Sequence, residues 1–140
     1  MWWSPRPRLA TVVQQLRIWS TVLLGVAIAQ AGFGSGFGAS LIARDKSDAL
    51  EAMHRWNAWL LIVVAAVCVV VAAMYRRQGG PRWPLVFAAC LFGGGLLQAM
   101  LGSFRVVGVH LFVGVLFLCA VTTFCSYAWR HQPSPVPVAS

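Results

Sequence analysis

The sequence predicts an all-α fold, an integral membrane bundle of four helices running up and down. Composition is the first reason. Of 140 residues, 59% are apolar and only 10% are charged, whereas a soluble domain of this size needs a far more polar exterior. The second reason is distribution. The apolar residues gather into four runs of the ~20 residues that a helix needs to cross a bilayer core of about 30 Å. The runs also do not alternate. Leu60-Leu61-Ile62-Val63-Val64 lacks the period-two pattern of a transmembrane β-barrel strand, so helices are the spanning element.

The first span is expected from about Ile18 to Phe37. It resembles a secretory signal, with Arg6, Arg8 and Arg17 before an apolar core and Ala29-Gln30-Ala31 resembling a cleavage site. It is expected to be a retained first helix, with Trp2 and Trp3 at the membrane interface. The longest connection, Gly38 to Leu50, follows, and Gly32, Gly34, Gly36 and Gly38 permit close approach or unwinding there. The second span is expected from about Glu51 to Tyr75, and Gly79-Gly80-Pro81 breaks the chain after it. The third runs from about Trp83 to Phe104 and the fourth from about Val106 to Trp129. Their short join makes them an antiparallel hairpin. The expected organisation is a cytoplasmic segment over 1–17, the four-helix domain over 18–129 and a cytoplasmic tail over 130–140, with Pro133 to Pro137 disordered.

Basic residues set the expected orientation. Arg6, Arg8, Arg17, Arg76, Arg77, Arg82 and Arg130 fall on one side; Arg44, Lys46, Arg55 and Arg105 fall on the other with all three acids, Asp45, Asp48 and Glu51. The positive-inside rule then puts both termini in the cytoplasm of a multi-pass cell-membrane protein. The net charge of +8 is spread in short groups between apolar runs, which argues against nucleic acid as a partner and for the lipid bilayer. Cys68, Cys90, Cys119 and Cys125 all lie within apolar runs and form no CxxC pair. A disulfide framework or a zinc site is therefore not expected.

Ionisable groups at membrane depth are costly and tend to serve a purpose. His54 and His110 both lie near the starts of helices that run in the same direction, so their imidazoles sit at similar depth under the outer interface. Placed on diagonal helices, both rings point at a common space. Neutral imidazole is a good axial ligand for haem iron, and a mononuclear metal would want a third protein ligand. Ordinary interfacial hydrogen bonding is the other reading. His131 belongs to the tail. Glu51 shares a helix face with His54 and stands four residues before Arg55; it is either a dipole-complementing acid paired with Arg55 or a carboxylate beside a haem. Arg55 and Arg105 are placed to meet haem propionates or to snorkel to the interface. Gln30 and Gln98 are the deep amides of the first and third helices and suit hydrogen bonds between helices or to a ligand. Gly93-Gly94-Gly95 admits a close backbone or ring. A faint repeat sets Gln30-Ala31-Gly32 against Gln98-Ala99-Met100-Leu101-Gly102, each followed by a helix bearing a histidine.

These residues resemble a known family. Gln98-Ala99-Met100-Leu101-Gly102 followed by His110-Leu111 is similar to the Q-x-x-L-G…H-L pattern of haem A synthase, and Glu51-Ala52-Met53-His54-Arg55 to its E-x-x-H-R. Gly34-Ser35-Gly36 resembles its glycine-rich first outer loop. The resemblance implies an oxidoreductase of haem biosynthesis that converts the C8 methyl of haem O to the formyl of haem A. It makes Glu51 the catalytic carboxylate and His54 and His110 the iron ligands, holding prosthetic haem b or substrate haem O toward the outer face. Family members usually have eight spans in two halves; this chain matches one half. The resemblance therefore implies a homo-oligomer, most simply a dimer, and an electron acceptor that the sequence does not identify. The family's frequent cysteine pair has no counterpart between Gly38 and Leu50. Two other functions fit the same spans: a membrane b-type cytochrome exchanging electrons with quinone, and a cofactor-free transporter or assembly partner using Glu51 as a coupling carboxylate.

Overall fold

The computed structural model describes residues 7–130, with side chains from Leu9 onward. Trp2, Trp3, Arg6, the Arg8 side chain, His131 and the proline-rich tail lie outside the described residues. The elements are α1 (Pro7–Ile42), α2 (Asp48–Arg77), α3 (Trp83–Ser103) and α4 (Val107–Arg130). All four are long and apolar enough to cross a membrane. The fold is an all-α four-helix membrane bundle. The helices form a ring in which α1 packs on α2, α2 on α3, α3 on α4 and α4 on α1, while the α1 and α3 backbones do not lie side by side and neither do those of α2 and α4. The pairs α1/α3 and α2/α4 are the diagonals.

One boundary differs from expectation. The first helix begins at Pro7, ahead of the span expected from about Ile18, and continues through its glycines to Ile42 over 36 residues. The Gly38 to Leu50 connection shrinks to residues 43–47. Glycine lowers helix propensity in water, but in a lipid environment an unwound backbone has no water to satisfy it, so the helical hydrogen bonds persist.

All three turns close the preceding helix with the same pair of backbone bonds, the Schellman arrangement. Asp45 N donates to Ser40 O and Arg44 N to Leu41 O; Gly80 N to Tyr75 O and Gly79 N to Arg76 O; Val106 N to Leu101 O and Arg105 N to Gly102 O. Each needs one left-handed residue. Gly79 supplies it at φ 93° between α2 and α3, but at the opposite end Arg44 (57°) and Arg105 (56°) occupy it. Ser47 then caps α2 by accepting from Leu50 N.

The core is confined to one end of the bundle. Leu61, Ala65, Cys68, Ala72 and Tyr75 recur at spacings of four and three along α2 and are buried, against Leu23, Ala27, Ala88, Leu91, Val121, Phe124 and Ala128. Small side chains in this stripe let the helices approach closely, which is where attraction between helices arises in lipid. The ring is closed between α4 and α1 by the Arg17 Nε bond to Ala128 O (3.1 Å) and the Trp129 Nε1 bond to Thr21 Oγ1 (3.0 Å). The Arg17 guanidinium also lies 5.6 Å over the Trp129 ring. All four cysteines are free thiols, with Cys68 and Cys125 in the core and Cys90 and Cys119 exposed. Toward the other end, no described residue in 28–60 or 96–120 is buried. That loosely packed half contains both histidines.

Candidate functional site

His54 is on α2 and His110 on α4, a diagonal pair, and their rings nonetheless meet across the bundle axis. The ring centres are 6.1 Å apart and the planes nearly perpendicular, at 84°. Each ring rests against a glycine of a neighbouring helix. A Cβ on Gly34 of α1 would stand 2.9 Å from His54 Cε1, and one on Gly102 of α3 would stand 3.3 Å from His110 Cε1. The two hairpins repeat this construction. Gln30-Ala31-x-x-Gly34-Ser35 in α1 matches Gln98-Ala99-x-x-Gly102-Ser103 in α3, and the amide and glycine of each flank the histidine of the following helix. The repeat aligns Gly102 with Gly34, whereas a Cβ on Gly32 would meet nothing within 4 Å.

Hydrogen bonds fix both ring tautomers. His110 Nδ1 lies 3.1 Å from Gln98 O. A carbonyl only accepts, so Nδ1 carries the proton and Nε2 of the neutral ring keeps its lone pair. Gln98 Nε2 returns a bond to His110 O at 3.1 Å, and Gly114 leaves it room, since a Cβ there would stand 3.0 Å from that nitrogen. At the other ring, Asn57 Nδ2 donates to Val26 O (2.9 Å) and to Gln30 Oε1 (2.8 Å). Gln30 therefore turns its Nε2 toward His54 Nε2, 3.3 Å away, and donates to it. The His54 proton is then on Nδ1. His54 Nδ1 and Gln98 Oε1 are, among the described residues, the buried side-chain polar atoms with no hydrogen-bond partner. An unmade bond at a buried group costs about 1–3 kcal/mol, so the polar centre of the bundle is left one donor and one acceptor short.

The remaining expected residues separate. Glu51 turns toward the α1–α2 connection, where its Oε2 meets Lys46 Nζ at 2.7 Å, and Asp48 joins at 3.2 Å. The expected Glu51–Arg55 pair is thus replaced by Glu51–Lys46, because the short connection brings Lys46 back over the first turn of α2. The two carboxylates hold the Lys46 ammonium above its ordinary pKa, the Glu51 hydrogen bond being the larger cause. Arg55 lies on the outward face of α2 beside Trp56 and Trp59, lining a shallow groove with them, and is not brought to the histidines. Arg105 sits in the exposed α3–α4 turn in the left-handed conformation. In the triple glycine, a Cβ on Gly94 would stand 3.2 Å from the Phe117 ring and one on Gly95 3.3 Å from Leu61.

Sequence reasoning missed Asn57 and Arg44. Asn57 is an amide within an apolar helix and stands three residues after His54, on the same face, a signal that the sequence itself carries. Arg44 is the counterpart of Arg105, visible once both turns are seen to need a left-handed residue. No known protein family, curated protein or solved structure matches the chain.

Proposed function

We propose that the outer half of this bundle binds haem through His54 and His110 and that the protein is a haem A synthase-type oxidoreductase, oxidising the C8 methyl of haem O. The observation that carries the haem reading is the meeting of the two rings at 6.1 Å. That proximity would let His54 and His110 together supply the two protein ligands that a haem iron takes. The donor set fits as well. Two imidazoles would complete iron that already has four macrocycle nitrogens. His110 has the arrangement common in metal-bound histidine, Nδ1–H on a backbone carbonyl and Nε2 free.

His54 and His110 would hold the iron, Gln30 and Gln98 would orient the rings, and Arg105 at the rim would meet propionates. Haem would supply the redox chemistry, with the electrons withdrawn from the methyl group passing to an external electron acceptor, while Glu51, on the histidine face one turn toward the rim, would accept a proton after release from Lys46. Both termini are assigned to the cytoplasm and the haem site to the outer face. With one histidine pair per chain, a dimer would supply separate prosthetic and substrate sites.

A second reading, a b-type cytochrome that only transfers electrons, is favoured by one observation: Glu51 is engaged by Lys46 at 2.7 Å. Pigment analysis separates the two. Purified protein from cells that make haem O is examined by absorption spectroscopy, then by acid extraction and chromatography. Haem A or hydroxylated haem O, lost in Glu51→Gln while haem stays bound, supports the synthase. Haem b alone, indifferent to that substitution, leaves the cytochrome. Colourless protein that takes up no added haem overturns both.

A further inference from the structure

The two hairpins are alike in their Gln, Gly-Ser and His positions but differ three residues after the histidine, where α2 has Asn57 and α4 has Val113. That difference reaches the ligand nitrogens. Asn57 uses both amide hydrogens, one on Val26 O and one on Gln30 Oε1, and thereby presents Gln30 Nε2 to His54 Nε2. In the other hairpin Gln98 Nε2 is spent on His110 O, and the proton of His110 is on the Gln98 carbonyl side. One ring nitrogen is capped by an amide; the other is not.

We infer that Gln30, aimed by Asn57, is a cap on the Nε2 lone pair of His54, so that His110 is the fixed ligand of the pair and His54 the exchangeable one. Gln30 and Asn57 are positioning residues here, acting through His54. The inference rests on the haem reading and deepens it. A nitrogen lone pair accepts the Gln30 hydrogen or a metal ion, never both, so Gln30 must release His54 before that ring can ligate. His54 Nδ1 makes no close hydrogen bond, whereas His110 is held by a reciprocal pair of bonds to Gln98. The position facing His54 is thus the one an exogenous small ligand can win.

The test uses the full chain in detergent, titrated with haemin and reduced, comparing wild type, Gln30→Leu and Asn57→Leu. The expected result is that the wild type binds carbon monoxide and shows a mixture of five- and six-coordinate spectra. Gln30→Leu raises the six-coordinate, low-spin fraction and weakens carbon monoxide binding about fivefold or more, the worth of one typical hydrogen bond. Asn57→Leu shifts both readings in the same direction, since Gln30 is no longer aimed. His54→Ala keeps five-coordinate, carbon monoxide-binding haem, and His110→Ala loses haem. Equal spin state and affinity in the wild type and both amide variants overturn the cap, as does equal loss of haem in the two histidine variants. Failure of the wild type to bind haemin overturns the haem reading instead. The cap is then read in the haem-free chain by ¹⁵N NMR, where His54 must be a single Nδ1–H tautomer that becomes mixed in Gln30→Leu; an unchanged tautomer ratio overturns it.

Discussion

Replacing Gly34 by alanine tests whether the His54 ring is held where the structure puts it. The new Cβ would stand 2.9 Å from Cε1 and 3.1 Å from Nδ1 of that ring. Carbon contacts settle near 3.5–4.0 Å, so the ring must retreat by roughly 0.6–1 Å. The Gln30–His54 bond, already 3.3 Å long, does not survive such a shift. Its loss costs about 0.5–1.5 kcal/mol and local overpacking about 1–3 kcal/mol, against about 1 kcal/mol gained by alanine over glycine inside a helix. The net expectation is destabilisation of about 1–3 kcal/mol with a displaced ring. Gly102→Ala is the matched control. Its Cβ would stand 3.3 Å from Cε1 and 3.6 Å from Nδ1 of His110, a conflict of a few tenths of an ångström, so strain and helix propensity cancel to within about 1 kcal/mol. The assay is thermal unfolding in detergent followed by circular dichroism, with haemin titration of each variant. Gly34→Ala should unfold earlier and change the ratio of five- to six-coordinate haem, while Gly102→Ala keeps the wild-type values of both. Gly34→Ala behaving as wild type in both measurements, or Gly102→Ala being the more damaged, refutes the account of the site.

Arg44 and Arg105 hold left-handed φ values that favour glycine, so Arg44→Gly and Arg105→Gly should each raise stability by about 1 kcal/mol; the Arg105 variant should bind haemin more weakly if that side chain meets propionates. Gly80→Ala should destabilise by about 1–3 kcal/mol, because its Cβ would stand 2.7 Å from the buried Tyr75 ring; a melting temperature equal to wild type contradicts that packing. Lys46 has a raised pKa in the folded chain, so its contribution is fully present below the ordinary lysine range and lost as pH rises through the raised value. Lys46→Ala should therefore flatten the alkaline limb of the stability profile measured by thermal unfolding, and an alkaline limb identical to wild type contradicts the ion pairs.

The spans were legible because transfer into lipid is decided by composition over some twenty residues, which a sequence displays directly. The end of α1 was not. Gly34 and Gly36 looked like breakers, but within the bundle Gly34 makes room for His54, and the helix runs on to Ile42. The turns show the same limit. Gly79 announces a left-handed residue, whereas Arg44 and Arg105 take that conformation with nothing in their side chains to announce it.

For the site, the sequence by itself determined that His54 and His110 stand near the starts of parallel helices at matched depth, because helix direction and rise follow from counting residues. It also displayed Gln30 and Gln98 as amides with few partners available in an apolar medium. Only the tertiary structure decided that α2 and α4 are diagonal, that the rings meet at 6.1 Å, that Glu51 turns to Lys46, and that Asn57 makes the two histidines unequal by aiming Gln30. Those outcomes depend on rotation of each helix about its axis and on which hydrogen-bond partner lies within about 3 Å. Both are set by packing of residues far apart in the chain, so no local pattern records them.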